Sequence, residues 1–387
     1  MRRKFLVISS NAVWGGSEEL WSRTAAELAR DGHDVTVMKG NVPEQEPRIR
    51  ALRALNVRMI DLRRLSPIPS GLLRFLTNMA WQLSYAVQAL HLARVLRKPQ
   101  FDLAVLSMGG NLDGLFIGKR LRRSGIPYVI ISQKAAEVYW PYDASFEDAQ
   151  RLYRSAIRCL FVSHHNLRLT EQQLATDLPR AEVVRNPFLV PYRGENGWPD
   201  QSGGLALACV GRLFPGEKGQ DILLRVLARD KWRARPVTLT LFGAGAHAKA
   251  LQAMAAYLGL ANVTFAGFTQ DAEAIWRAHH ALVLPSRCEG LPLVLVEAML
   301  SARVAIVTDV AGAAEVVTDG QTGFLASAPT DDSFDDALER AWQRRDEWRT
   351  IGEAAAADIR MHVPEDPAKM LADRLLGWAG AGSEPSA

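Results

Sequence analysis

Two carboxylates, Glu289 and Glu297, stand with seven residues between them in the stretch from Pro285 to Met299. Residues 281–284 read as a buried strand, Glu289 falls in the turn that follows, and an apolar helix starts near Pro292. A helix N-terminus offers unpaired backbone N–H groups and the positive end of the helix dipole. The amides of Gly290 and Leu291 lie there. Acids beside an anion site suit a ligand that carries hydroxyls and phosphate, as a nucleotide sugar does. The neighbours of Glu297, from Leu293 to Met299, are apolar, so its carboxylate is expected to be buried and to need partners. Ribose hydroxyls would serve.

Further candidates follow other strands. Gly211-Arg212-Leu213 and Lys218-Gly219 come after the apolar run 205–210. Arg212 as a fork and Lys218 as a point charge can meet a diphosphate, although a solvated basic loop would look similar. Trp14-Gly15-Gly16-Ser17-Glu18 follows the first apolar run, and its paired glycines fit either close backbone approach to a ligand or a plain tight turn. Gly243 ends the run 237–242 and carries the same two readings.

The elements that must hold these residues alternate. In the first half, strands are expected at 5–9, 35–38, 57–62, 103–107, 128–132 and 160–162. Helices are expected at 17–30, 72–96 and 112–124. The second half repeats the pattern, with strands at 205–210, 237–242, 263–266, 281–284 and 305–308. Such alternation specifies parallel, doubly wound sheets, which bind ligands at the carboxyl ends of their strands. The expectation is α/β, with two Rossmann-like domains facing a central cleft. Their bounds are 1–190 and 205–366, joined by a linker at 191–204 that is rich in glycine. A last helix at 367–378 packs back on the first domain, and 379–387 forms a disordered tail.

The chain has 387 residues, which fits two domains. Charge is uneven: residues 1–185 hold 27 Lys/Arg against 17 Asp/Glu, whereas the whole chain nets only +4. The basic half suits an anionic surface, either membrane or phosphorylated glycan. Nucleic acid is not expected, because no basic run is interleaved with aromatics. Cys159, Cys209 and Cys288 have no metal or disulfide spacing, and the apolar settings of Cys159 and Cys209 read as reduced core thiols, which implies a cytoplasmic chain. No Gly-x-Ser-x-Gly elbow occurs, which removes the commonest hydrolase reading. His164-His165 and His279-His280 lack metal-ligand spacing, and the acids around Ser333 read as a helix first turn.

Taken together, Glu289-Gly290-Leu291-Pro292 through Glu297, Gly211-Arg212-Leu213 with Lys218-Gly219, and Gly15-Gly16-Ser17-Glu18 resemble the motifs of the retaining glycosyltransferases of family four. Those enzymes have two Rossmann-like domains, the GT-B fold. The resemblance implies transfer of a sugar from a nucleotide-sugar donor to a glycan or lipid-linked acceptor in bacterial surface-glycan synthesis, with anomeric retention and no metal or other cofactor. It implies that Gly16, beside the substrate-binding Gly15, offers backbone to the diphosphate and that Arg212 and Lys218 neutralise it. Glu289 would touch the sugar hydroxyls, Gly290 and Leu291 would hold oxygens, and Glu297 would bind ribose. Many members carry a histidine where Gln133 stands, and Gln133 is expected to contact donor or acceptor without titrating. Arg63, Arg64, Arg74, Arg94, Arg97 and Lys98 bracket the apolar stretch 72–96, which suits either a peripheral membrane contact or a packed helix. The alternatives are a sugar phosphorylase, a nucleotide-sugar epimerase, or a non-catalytic nucleotide-sugar binder.

Overall fold

The computed structural model describes residues 1–11, 13–62, 89, 92–97, 101–194 and 197–380. The stretch 72–96 and most of its flanking arginines therefore lie largely outside the described residues.

The chain divides into two units. The first comprises Met1–Val162, Leu167–Asn186 and Asp366–Ala387, and the second Ser163–Asn166 and Pro187–Glu365. The first holds seven parallel strands: β1 (Lys4–Ser9), β2 (Asp34–Lys39), β3 (Arg58–Asp61), β4 (Leu103–Met108), β5 (Tyr128–Ser132), β6 (Arg158–Phe161) and β7 (Ala181–Val183). Their spatial order is β3-β2-β1-β4-β5-β6-β7. The second holds β8 (Leu205–Val210), β9 (Val237–Phe242), β10 (Val263–Gly267), β11 (Ala281–Leu284), β12 (Val304–Thr308) and β13 (Gly323–Ala326), in the order β10-β9-β8-β11-β12-β13. Each order reverses direction once, between β1 and β4 and between β8 and β11. Such reversal points are where doubly wound sheets bind ligands.

Continuous apolar runs make the inner strands. Every residue of β4, β5, β11 and β12 is buried, as strands covered by helices on both faces must be. The edge strand β10 is mostly exposed. Two short strands escape a reading by composition. β7 has three residues and β13 has only three apolar residues after Gly323, so neither presents a long apolar run.

At its described residues the linker expected at 191–204 packs on the second unit: Tyr192 Oη donates to the Arg360 carbonyl at 2.9 Å, and Trp198 lies 5.3 Å from the Arg303 guanidinium. Phe188 and Val190, just before it, are buried in the second unit's core. The Pro367–Gly380 helix belongs to the first unit. Its Leu371, Ala372 and Leu375 share a core with Leu20 and Trp21, and Thr24 Oγ1 donates to the Ala368 carbonyl at 3.2 Å. It continues through Ala379 and Gly380, two residues assigned to a disordered tail by sequence. No helix among the described residues is long and apolar enough to cross a membrane.

Candidate functional site

In the second unit, the candidate residues converge on the loops that leave β8 and β11. After β8 the chain makes a short helical turn, Pro215–Lys218, and Gly219 then enters the left-handed region at φ 64°. A Cβ on Gly219 would lie 1.8 Å from the Pro285 carbonyl oxygen, so this contact between the loops requires glycine. Other bonds lace them further. The Arg287 and Cys288 amides donate to the Glu217 carbonyl at 2.7 and 3.2 Å. The Arg287 guanidinium grips both oxygens of Asp221 at 2.6 and 2.8 Å and reaches the Pro215 carbonyl. Burial raises the Asp221 carboxyl, but Arg287 and Arg225 together outweigh it and hold the group below its ordinary value.

This lacing sets Lys218 against Glu289. The Lys218 ammonium donates to Glu289 Oε1, and Ser286 Oγ donates to the same oxygen at 2.8 Å. Glu289 is only 6% exposed. Arg212 donates to Glu217 Oε2 at 2.9 Å, and its side chain is 52% exposed. Both cations thus already hold a carboxylate, which the sequence did not reveal. Each keeps spare donors, since a guanidinium carries five N–H groups and an ammonium three.

The helix after Glu289 runs Leu293–Leu300 with Pro292 at its N-cap and no capping side chain. Its first amides are therefore open to an incoming acceptor. Gly290 and Leu291 lie just ahead of it and are buried, and the Gly290 carbonyl is pinned by the Gly312 amide at 2.9 Å. Glu297 is buried as expected, but its Oε1 accepts the Leu189 amide at 3.0 Å. Burial of that carboxylate thus does not by itself call for a ligand. Gly243, at φ 134°, also has a structural reason, because a Cβ there would lie 2.0 Å from the Gly211 carbonyl.

In the first unit, Gly15 is extended, at φ −171°, and a Cβ added there would meet nothing within 4 Å. No contact among the described residues demands glycine there. Gly16 opens a single 3-10 turn, Gly16–Glu18, ahead of the helix Glu19–Arg30. Behind this loop lies an ion pair that the sequence reading missed. Glu18 and Lys39 side chains are both fully buried, 2.6 Å apart. Ser9 Oγ and Asn11 Nδ2 also donate to the Glu18 carboxylate at 3.0 Å, and Lys39 donates to the Asn11 carbonyl. A lysine ending an apolar strand, paired with an acid beside two glycines, was the available signal.

Gln133 is 5% exposed at the carboxyl end of β5. Its Oε1 accepts from Asn186 Nδ2 at 2.8 Å, while its Nε2 has no hydrogen-bond partner among the described residues. Burial pushes the Cys159 and Cys209 thiols up to about 12, so neither is a thiolate nucleophile near neutrality. Among the described residues no cluster of three or more His, Cys, Asp or Glu side chains has the placing to hold a metal ion.

Comparison with known proteins agrees with this architecture. Residues 15–188 match the family model described as a glycosyl transferase 4-like domain, and residues 204–344 match that of glycosyl transferases group 1. One relative is the GDP-mannose-dependent alpha-(1-6)-phosphatidylinositol monomannoside mannosyltransferase of Mycolicibacterium smegmatis. It is 27% identical over 62% of this chain and 67% of its own length. A D-inositol 3-phosphate glycosyltransferase of Nocardia farcinica is 34% identical over 39% of this chain, and the match spans only 36% of that relative. The crystal structure of Anabaena HepE in complex with UDP and glucose superposes with a TM-score of 0.72 at 19% identity, covering 97% of this chain and 100% of that one. The chain belongs to glycosyltransferase family four, with the two-domain GT-B fold.

Proposed function

We propose that this protein transfers a hexose from a nucleotide-sugar donor to a glycan or lipid-linked acceptor, with retention of anomeric configuration, in bacterial surface-glycan synthesis. The observation that carries the reading is the Lys218–Glu289–Ser286 constellation beside Arg212 and an uncapped helix N-terminus. In the reaction, the bond between the anomeric carbon and the diphosphate oxygen breaks, and the electron pair leaves with the nucleoside diphosphate. The acceptor hydroxyl forms the new bond from the same face and gives its proton to the departing phosphate oxygen. Negative charge grows on that oxygen. Arg212, Lys218 and the helix amides stabilise it where it develops.

Both bonds to Glu289 fall on Oε1, so Oε2 is the atom we assign to a sugar hydroxyl. Glu289 orients the sugar and is not a nucleophile. The two acids are not the acid/base pair of a glycosidase. The cations and amides meet the diphosphate charge, so we propose turnover without a metal, unaffected by EDTA. Gly15, where no contact among the described residues demands glycine, is assigned to the diphosphate, and Gln133 Nε2 to a donor or acceptor oxygen. Glu297 is assigned to ribose through its carboxylate.

Retention is tested without knowing the acceptor. Slow donor hydrolysis, with water as acceptor, is followed by proton NMR before the released sugar mutarotates. An α-linked donor is expected to release the α-anomer first; initial release of the β-anomer would refute the mechanism.

A further inference from the structure

Resting on the transferase reading, we infer that the loop after β5 is a stacking platform for the sugar rings of a neutral glycan acceptor. The loop contains Val138-Tyr139-Trp140-Pro141-Tyr142. Tyr139 is 50% exposed, Trp140 61% and Tyr142 84%, which makes this the densest run of exposed large hydrophobic side chains among the described residues. An exposed patch of this kind marks an interaction site, and Trp140 is the most exposed tryptophan among the described residues. Trp21, Trp232, Trp276 and Trp348 are all fully buried.

The loop is held firmly. Gln173 Nε2 donates to the carbonyls of Ala136 and Tyr139, both at 2.8 Å. The Asn111 amide donates to the Lys134 carbonyl at 2.8 Å, and Asn111 Nδ2 in turn donates to Gln173 Oε1 at 2.7 Å. Trp140 Nε1 donates to the Glu137 carbonyl at 2.9 Å, which fixes the indole against its own turn. Loosely tethered aromatics would lose entropy on binding; these are already placed.

Two features select the occupant. The loop begins at Gln133, whose buried Nε2 is an unused donor, so the platform continues directly from a candidate sugar contact. Its charge also gives an anionic surface no hold: Lys134 is the one cation between residues 133 and 148, against Glu137, Asp143, Glu147 and Asp148, of which Glu147 and Asp148 pair with Arg151 and Lys119. An anionic bilayer would be repelled by such a segment, since membrane-surface segments carry Lys and Arg on their polar face. Sugars match it. Their axial C–H faces meet the electron-rich ring faces, and their hydroxyls bond carboxylates such as the exposed Asp143.

The test compares the full-length protein with the double variant Trp140→Ala/Tyr142→Ala. An array of neutral gluco-, galacto- and manno-oligosaccharides measures glycan binding. Vesicles of phosphatidylethanolamine and phosphatidylglycerol measure membrane binding. Thermal shift with UDP and GDP serves as the control for the nucleotide site. The expected result is capture of one sugar series by the wild type, weakened at least ten-fold in the variant, with an unchanged nucleotide shift. Equal capture by both proteins, or no capture by the wild type, would overturn the inference while a nucleotide shift keeps the transferase reading alive. Vesicle binding that is lost in the variant would overturn it in favour of a lipid contact. Absence of both sugar capture and any nucleotide shift would remove the transferase reading itself.

Discussion

The two sheets share one strand order, yet their ligand-facing edges handle charge in opposite ways. At the carboxyl edge of the first sheet, Lys39 and Glu18 are sealed together at zero exposure. The ligand contacts we propose there are neutral: the glycine backbone at Gly15 and the buried amide of Gln133. At the corresponding edge of the second sheet the cations are reachable. Arg212 is half exposed, Lys218 is partly exposed, and an uncapped helix N-terminus stands beside them. One topology therefore seals an ion pair in one unit and leaves cations reachable in the other, where we propose that they meet the ligand. What separates them is whether the ion pair lies under the loop or on it.

Breaking the sealed pair should have the largest effect. Lys39→Met strands a buried carboxylate, and loss of one partner of such a pair costs about 3–5 kcal/mol. Urea unfolding followed by circular dichroism should show that loss, while any nucleotide-induced shift survives in the second unit. A change within error would mean that the pair is solvated and that the contrast between edges is false. Lys218→Ala should do the reverse. We expect kcat to fall on the order of 10²–10³-fold, the size seen when one preorganised charge-stabilising donor is removed. The unfolding midpoint should move little, because Lys218 is only partly buried. A fall in stability without a fall in rate would assign Lys218 to structure.

The smallest effect concerns acid. Glu339 is held at about 2, below its ordinary 4.5, chiefly by hydrogen bonds from Arg235. A folded-state pKa below the unfolded value adds stability that is fully present above about 4.5. That stability is lost as pH falls through about 2. The melting temperature of the wild type should therefore drop across this window, and Glu339→Gln should flatten part of the drop. An unchanged acid slope in the variant would show that other carboxylates govern it.

Much of this was legible in the sequence, for physical reasons. Parallel strands buried on both faces leave apolar runs, so β1, β4, β8 and β11 announce themselves, and residues that follow such runs are automatically at the ligand edge. Arg212, Lys218 and Glu289 were picked out that way, and the structure pairs Lys218 with Glu289 while Arg212 holds Glu217. What stayed hidden depends on pairing across loops. The bonds from Arg287 to Asp221 and from Arg212 to Glu217 join residues whose spacing carries no motif. The same holds for Leu189, whose backbone amide satisfies Glu297. Backbone partners leave no trace in side-chain identity, which is why burial of Glu297 looked like a demand for ligand. Glycine was similarly ambiguous. Gly219 and Gly243 are explained by neighbouring carbonyls, whereas nothing among the described residues explains Gly15.

The most direct test of the central claim is thermal shift of the wild type and Arg212→Ala with UDP, GDP, ADP, CMP and dTDP. At 100 times its Kd a ligand adds about 2.7 kcal/mol, a rise of several degrees for a protein of this size. The account predicts that one nucleoside diphosphate raises Tm in the wild type and that Arg212→Ala abolishes the rise. A flat panel, or a rise that Arg212→Ala leaves intact, would contradict a nucleotide site built on the loops after β8 and β11.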